Sequence, residues 1–276
     1  MNWENKNMIT FPFFKKRDAG PGPILQLITL LIALLIILPA FIIIPASFSA
    51  GTSFQFPPQE WSLRWYHSFF TSPVWVKSLF RSLEIASIVA VLSTILGVGA
   101  AIGMKNATRR IHSYLFLFYT APIAAPSIVI ALAVYSVFLK WHLAGTQTGL
   151  VLAHTMLSIP FVVTTVVASL ANYDERLELA SSSLGAPPWR TFVQIKMPLI
   201  APGVIAGFLF AFVNSFDEFT VALFLQTPSM RTLPVQMYNS IILDLDPTIS
   251  AASSVIIVTT TAVFLLFSLK IQNKNT

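Results

Sequence analysis

Two adjacent carboxylates, Asp217 and Glu218, stand inside an apolar stretch of the 276-residue chain. A charged side chain at the centre of a membrane helix costs about 2.5–3.5 kcal/mol on insertion scales, so such a pair needs a role or a partner. Asn214 lies three and four residues before the pair and extends a polar stripe along the same predicted helix. This arrangement predicts that one carboxylate faces a hydrated path and attracts cations.

A structural explanation of the same carboxylates stays open beside the functional one. In the functional one, aromatic neighbours add cation–π attraction for an organic cation, and these are Phe212, Phe216 and Phe219. In the structural one, a carboxylate forms an ion pair with Arg81 or with a partner subunit. Arg81 and Glu84, three residues apart on a predicted helix, can also pair with each other.

No constellation for hydrolysis or nucleotide binding occurs in the sequence. It has no GxxxxGK[ST] motif and therefore no ATP-binding cradle of that kind. It has no cysteine, and its histidines, which are His67, His112, His142 and His154, share no metal-ligand spacing. His154 lies inside a predicted span and is expected to make a buried hydrogen bond. We predict no catalytic residue, no metal site and no cofactor bound by this chain.

The composition predicts a membrane protein. Hydrophobic residues make up 55% of the chain and charged residues only 10%, whereas about a quarter of a soluble domain is charged. Several apolar runs reach about 20 residues, the length that crosses a bilayer as a helix. The net charge of +6 does not indicate a nucleic-acid partner, because the basic residues lie in short segments between these runs.

The apolar runs predict an all-α polytopic membrane protein with six transmembrane helices. The predicted spans are residues 24–44, 77–104, 112–139, 148–170, 199–226 and 249–271. They form a domain over residues 24–271, between tails at 1–23 and 272–276. Outside loops are predicted at 47–76 and 227–248. Three glycines of the second span are expected to permit close helix contact, and these are Gly97, Gly99 and Gly103.

An even number of spans places both termini on one side, and the basic residues indicate which side. Twelve fall on the side of the termini: Lys6, Lys15, Lys16, Arg17, Lys105, Arg109, Arg110, Arg176, Arg190, Lys196, Lys270 and Lys274. Five fall on the other side: Arg64, Lys77, Arg81, Lys140 and Arg231. The positive-inside rule therefore predicts that both termini are cytosolic.

The segment Tyr173–Pro198 is the longest polar interruption between apolar spans in the second half of the chain. Its pattern predicts a short helix capped by Asp174, a stop at Gly185 and a second helix that begins at Pro187 or Pro188. The final proline is expected to open the fifth span. The segment follows four spans and is therefore predicted to be cytosolic, where a helix–glycine–helix element can dock into another protein.

Within this segment, the spacing of Ala180, Gly185, Ile195 and Pro198 resembles the EAA loop of ABC importer permeases (EAA, three residues, G, nine residues, I-x-L-P). Three positions depart from the pattern: Leu179 stands at the motif glutamate, Ser181 at the second alanine and Met197 at the leucine. Other segments are similar to polyamine-type permeases, namely SLRWY at 62–66, NSFDEF at 214–219 and RTLPVQMYNSI at 231–241. Together the similar segments lie between about residues 60 and 250.

The resemblance implies a type I ABC importer permease in the bacterial inner membrane. It also implies a polyamine solute such as spermidine or putrescine, although related permeases serve phosphonates, iron and amino acids. A separate ATP-binding subunit, acting as a dimer, would hold ATP and Mg²⁺. A second permease chain would complete the path, and an external solute-binding protein would deliver the solute. The coupling residues carried over are Glu178, Leu179, Ala180, Ser181, Leu184 and Gly185, with Glu178 as the candidate replacement for the motif glutamate.

Two alternatives from other classes are compatible with these residues. A self-contained cation-coupled secondary transporter or channel would use Asp217 and Glu218 as a relay. A non-transporting scaffold would use the segment at 173–198 to recruit a partner. The hydropathy pattern shows no clear inverted repeat, which favours half of a two-chain path. Whether the second permease is identical or different stays open.

Overall fold

The computed structural model of the chain describes residues 22–52, 56–244 and 246–272. The predicted tail residues 1–21 and 273–276 lie outside this description. So do several basic residues counted for orientation, which are Lys6, Lys15, Lys16, Arg17 and Lys274.

The described residues are helical and form no β-strand, although one isolated antiparallel bridge joins Ser49 to Trp61. The first six helices are α1 (Pro23–Ala46), α2 (Arg64–Thr71), α3 (Pro73–Lys105), α4 (Arg109–Ala124), α5 (Ser127–Lys140) and α6 (Gln147–Ala171). The others are α7 (Arg176–Ser183), α8 (Pro188–Thr191), α9 (Met197–Asp217), α10 (Thr220–Leu225), α11 (Leu233–Asn239) and α12 (Thr248–Gln272). The all-α prediction is confirmed.

Within the described ranges, four helices are long and apolar enough to cross a membrane. They are α1, α3, α6 and the continuous helix Pro188–Asp217, in which a π-helical turn joins α8 to α9. Helices α4 and α5 are bent by 101° at Ala125–Pro126 and make a fifth crossing if they count as one span. In α12, the apolar part Thr248–Ala262 is shorter. By length and composition this gives four or five crossings, so the number six stays a prediction.

The fifth span differs from its predicted range of 199–226 at both ends. The helix begins at Pro188 and continues through Pro198. A proline ring inside a helix meets the carbonyl four residues earlier, here that of Gln194, and this residue lies in the widened π turn Phe192–Lys196. We attribute the continuity of the helix to this turn. At the other end, the helix stops at Asp217, before α10 begins.

Helices α3, α6 and α9 form the centre of the molecule. Ala90, Val98, Val162, Val166 and Ile200 are buried where these helices meet. A second buried cluster joins α3 and α6 to α5 and α10 through Ile85, Val89, Val134, Leu150 and Leu225. On one side of this centre, α2 and α11 pack against α3 and α12 through Phe69, Trp75, Leu233 and Ile249. Thus the predicted outside loops at 47–76 and 227–248 contain the helices α2 and α11.

Glycines permit the close approach of α6 to both neighbours. A Cβ atom at Gly97 of α3 would lie 2.7 Å from Cβ of Val162, and one at Gly207 of α9 would lie 2.6 Å from Oγ1 of Thr165. The expectation was wrong for Gly99 and Gly103 within this chain, because a Cβ there would meet nothing within 4 Å. They are two and six residues beyond Gly97, and at 3.6 residues per turn they point away from α6.

Candidate functional site

The first candidate site is the α7–α8 hairpin, residues 176–191. The backbone N–H of Arg176, the first residue of α7, donates to Oδ1 of Asp174 at 2.9 Å. Gly185 has a φ of +75° and its missing side chain faces open space, so the turn requires glycine for its backbone conformation rather than for lack of room. Helix α8 then begins at Pro188. The structure therefore contains the predicted helix–glycine–helix element.

One face of α7 holds the hairpin together and another is exposed. Oγ of Ser181 and Oγ1 of Thr191 form a buried hydrogen bond of 2.7 Å between α7 and α8. Leu179, at the position of the motif glutamate, is 68% exposed, and Leu184 is 88% exposed. Trp189 of α8 is also exposed. An exposed apolar face of this kind is typical of a surface that binds another protein.

Ion pairs join α7 and the residue before it to two long helices, the helix Pro188–Asp217 and α3. Oε1 of Glu178 lies 2.8 Å from Nζ of Lys196 at the end of the π turn. Oε1 of Glu175 lies 3.1 Å from Nζ of Lys105 at the end of α3. The ring centroid of Tyr173 lies 4.6 Å from Nζ of Lys105 and 5.6 Å from Nζ of Lys196. Such distances allow cation–π attraction between the ring and both ammonium groups.

The pKa values follow from these contacts. The hydrogen bond from Lys196 holds the pKa of Glu178 below its usual value. Burial, with added effects of Glu178 and neighbouring carboxylates, raises the pKa of Tyr173 to about 12. Near neutral pH, Glu178 is therefore ionised and Tyr173 is neutral.

The second candidate site is the break between α9 and α10. After Asp217, Glu218 adopts an extended backbone conformation with φ −66° and ψ 111°. Its Oε1 accepts a hydrogen bond of 2.7 Å from the backbone N–H of Val221 in the first turn of α10. The sequence predicted both carboxylates inside one helix, and this is wrong for Glu218. It caps the next helix and thereby satisfies a backbone donor that the break leaves free.

A cavity of about 270 Å³ lies beside this break. Its polar lining is Asn214, Asp217 and Glu218, which the sequence singled out together. Its apolar lining is Phe161, Phe210 and Val213. The carboxylates of Asp217 and Glu218 give the cavity a negative charge, so its chemistry suits a cation with apolar parts.

The aromatic residues beside the cavity differ from the predicted ones. Phe212 and Phe216 stack on each other with ring centroids 6.2 Å apart, and Phe219 packs on Tyr238. Phe161 and Phe210 were not predicted from the sequence. Phe210 precedes Asn214 by four residues and Asp217 by seven, so helical spacing alone was a signal for it.

The contacts of Arg81 test the alternative in which this residue forms an ion pair with Asp217 or Glu218. Nη1 of Arg81 lies 3.0 Å from Oε2 of Glu84 and donates to Oε1 of Gln147 at 3.1 Å. The expected pairing of Arg81 with Glu84 is confirmed. Within the described part of the chain, no ion pair joins Arg81 to Asp217 or Glu218.

Hydrogen bonds fix α6 to α9 next to the cavity. Nδ2 of Asn214 donates to Oγ of Ser158 at 3.1 Å. Nδ1 of His154 and Oγ of Ser215 are 3.0 Å apart, and the histidine is buried. The expected buried hydrogen bond of His154 is confirmed. These contacts position Asn214 on the cavity wall.

The fold of the chain resembles those of two solved transporter chains. The chain superposes with a TM-score of 0.72 on a chain of a bacterial ABC transporter involved in the import of the acidic polysaccharide alginate, at 12% identity and over 92% of this chain and 95% of that one. An amino acid ABC transporter gives a TM-score of 0.56 at 16% identity, over 75% of this chain and 98% of that one. The chain thus shares its fold with chains of solved ABC transporters.

The family follows from the sequence match. Residues 93–274 match the family of binding-protein-dependent transport system inner membrane components, and the chain belongs to this family. Membership and the apolar helices identify a multi-pass inner-membrane transport permease.

Several curated relatives are transport permeases. The putrescine transport system permease protein PotI of Escherichia coli K12 is 30% identical, over 71% of this chain and 73% of the relative. The spermidine/putrescine transport system permease protein PotC of Haemophilus influenzae is 26% identical, over 86% and 92%. The sulfoquinovosyl glycerol transport system permease protein SmoH of Agrobacterium fabrum is 29% identical, over 68% and 67%.

Proposed function

We propose that this chain is a permease subunit of an ATP-driven importer of polyamines such as putrescine or spermidine, and that it forms half of the translocation path. The observation that carries the proposal is the α7–α8 hairpin. It presents an exposed apolar face and leads directly into the helix Pro188–Asp217, whose far end lies at the acidic cavity. The relatives named for putrescine and spermidine support the substrate class.

In this proposal both termini and the hairpin are cytosolic, and the hairpin docks on an ATP-binding subunit that acts as a dimer. That subunit, not this chain, binds ATP and Mg²⁺. Glu178, Leu179, Ala180, Ser181, Leu184 and Gly185 form the coupling element. Leu179 and Leu184 supply its contact surface, and Ser181 and Gly185 fix its shape.

The continuous helix gives the coupling a mechanical route. Residues 188–217 rise about 45 Å at 1.5 Å per residue, from the hairpin to the cavity. Closure of the ATP-binding dimer would move the hairpin as a rigid body and tilt this helix against α6. Tilting would open the cavity alternately to either side of the membrane, as in other rocking transitions of packed elements.

The acidic cavity accounts for the choice of substrate. Polyamines are flexible cations whose ammonium groups are separated by apolar methylene segments. Asp217 would attract an ammonium group and Asn214 would accept a hydrogen bond from it, while Phe161 and Phe210 would contact the methylene segment or attract the charge. A second permease chain would close the open side of this cavity, and an external solute-binding protein would deliver the polyamine.

The direct test is to purify the chain with its co-expressed partner subunits and reconstitute them in vesicles. We expect spermidine or putrescine, presented with the binding protein, to stimulate ATP hydrolysis and to enter only when ATP is present. An uncharged glycerol glycoside should neither stimulate ATP hydrolysis nor enter the vesicles. Uptake by the purified chain alone without ATP would instead support the self-contained cation-coupled transporter or channel.

A further inference from the structure

Helix α7, which we call the coupling helix, carries Glu178, and this carboxylate contacts a lysine of the same chain. Glu178 stands next to the position at which the EAA loop carries its glutamate, and its carboxylate contacts Nζ of Lys196 at 2.8 Å. Leu179 occupies the motif position itself and is 68% exposed. The exposed motif position is therefore apolar, and the carboxylate of Glu178 lies on the face of α7 that contacts the helix Pro188–Asp217.

The limited solvent exposure of Glu178 and Lys196 raises the cost of removing either charge. The Lys196 side chain is only 10% exposed and that of Glu178 is 36% exposed. A buried ammonium group requires a charged or hydrogen-bonded partner, and removing one partner of such a pair costs far more than removing an exposed one. Tyr173, whose ring lies 5.6 Å from the Lys196 ammonium, is itself only 8% exposed.

The position of Lys196 determines what the ion pair can transmit. Lys196 is the last residue of the π turn within the helix Pro188–Asp217, so a displacement of α7 acts on that helix through the ion pair. The covalent route from α7 to the same helix passes through the turn at 184–187. The second ion pair, between Glu175 and Lys105, fastens the same end of α7 to α3 and is more exposed on its carboxylate side.

We propose that Glu178 is a positioning residue that joins the coupling helix to the fifth span through Lys196, and that it is not a contact for the ATP-binding subunit. This inference rests on the proposed function of the hairpin in coupling. The surface of the ATP-binding subunit that faces Leu179 is accordingly apolar rather than cationic. This chain keeps an acidic residue on α7, as the family motif does, but Glu178 lies one residue earlier than the motif glutamate. Its partner is Lys196 of the same chain.

Swapping the charges of Glu178 and Lys196 distinguishes an ion pair within the chain from a contact of Glu178 with another subunit. The test compares the full-length chain with Glu178→Lys, Lys196→Glu and the double variant, each in lipid nanodiscs without partner subunits. The readout is amide hydrogen exchange of residues 176–183. We expect each single reversal to accelerate exchange about tenfold, because it leaves like charges in contact, and we expect the double variant to restore most of the protection.

Arg176→Glu is the matched control, since it is a charge reversal on the same helix. Within the described residues Arg176 forms no ion pair, so we expect no comparable acceleration. If a charge-reversed chain does not accumulate, Glu178→Gln tests the same contact without a like-charge clash. Unchanged exchange in the Glu178 variants, or a double variant as fast as the single ones, would overturn the proposal.

A second readout tests positioning rather than local stability alone. In the assembled importer, the solute transported per ATP hydrolysed should fall in both single variants and recover in the double variant. A double variant whose helix is protected again but whose coupling stays lost would show that Glu178 contacts the ATP-binding subunit. The exchange measurement needs no such subunit, so it tests the ion pair even if the wild-type chain recruits no ATPase and the proposed function fails.

Discussion

At the break between α9 and α10, two neighbouring carboxylates have different surroundings. Glu218 accepts a hydrogen bond from the N–H of Val221, whereas within the described residues Asp217 has no ion-pair partner and lines the cavity. The charge of Asp217 is therefore the one more available to a bound ammonium group. The charge of Glu218 adds to the negative potential of the cavity, but its carboxylate also accepts a hydrogen bond from the first turn of α10.

We expect Asp217→Asn to raise the KM for polyamine uptake by about tenfold, equivalent to roughly 1.4 kcal/mol of lost attraction. Glu218→Gln keeps an oxygen acceptor for Val221 and should raise the KM less. Uptake kinetics of both variants in vesicles, with assembly checked by co-purification, measure the difference. Intact assembly with wild-type uptake in both variants would exclude a role of these residues in the path.

The pKa of Glu178 leads to a prediction about pH. Because this pKa is lowered in the folded chain, the ion pair contributes its full stability above the usual value of 4.5 and loses it as the pH falls through the folded value. Thermal unfolding of the wild type and of Glu178→Gln should therefore differ most at neutral pH. The two unfolding midpoints should converge in acid, and a gap that stays constant with pH would contradict the assignment.

Among the elements, the hairpin depends on a backbone conformation that few residues adopt. Gly185 has a positive φ and its surroundings are open, so a side chain there causes backbone strain but no clash within the chain. A β-branched residue in this conformation costs about 1–3 kcal/mol, while asparagine tolerates it better.

We expect Gly185→Val to distort the hairpin and to abolish polyamine-stimulated ATP hydrolysis or assembly, and we expect Gly185→Asn to retain both. Co-purification with the ATP-binding subunit and its stimulated ATPase rate are the measurements. Normal assembly and uptake in Gly185→Val would remove the docking role of the hairpin.

The packing of α6 against α9 leads to a prediction about stability. A Cβ atom at Gly203 would lie 2.7 Å from the carbonyl oxygen of Thr165 and would also overlap Oγ of Ser169. Gly203→Ala should lower the melting temperature of the purified chain, with a cost of about 1–3 kcal/mol for overpacking. Gly99→Ala is the control, since its Cβ would meet nothing within 4 Å in this chain. Equal melting temperatures for the two variants would contradict this packing.

For the whole molecule, features set by local sequence were predicted more successfully than those set by contacts between distant residues. Apolar runs identified the long helices, and the preference of glycine for positive φ identified the turn at Gly185. The end of α9 at Asp217 was missed, because apolar residues resume directly after Glu218 and continue to Leu225 with only Thr220 among them. The capping hydrogen bond of Glu218 becomes visible only in the folded chain.

In the candidate site too, features set by local sequence were predicted and contacts between distant residues were not. Helical spacing brought Asn214 and Asp217 together, and the structure places both on one cavity wall. Phe161 comes from α6, and no pattern within the sequence of α9 indicates it. Similarly, the ion pair of Glu178 with Lys196 crosses the turn of the hairpin, and its lysine ends the π turn, which the sequence did not predict.

The central claim is that the hairpin docks on an ATP-binding subunit at the cytosolic face, and single-cysteine cross-linking tests it most directly. The chain has no cysteine, so Leu184→Cys, at an 88% exposed position, introduces a unique thiol. Trp141→Cys is the control, exposed at the end of α5 that is predicted to lie outside. We predict that Leu184→Cys cross-links to the ATP-binding subunit in the assembled importer and that Trp141→Cys does not. Labelling of Leu184→Cys by an impermeant reagent from outside the cell, or no cross-link to an ATP-binding subunit in that complex, would contradict the account.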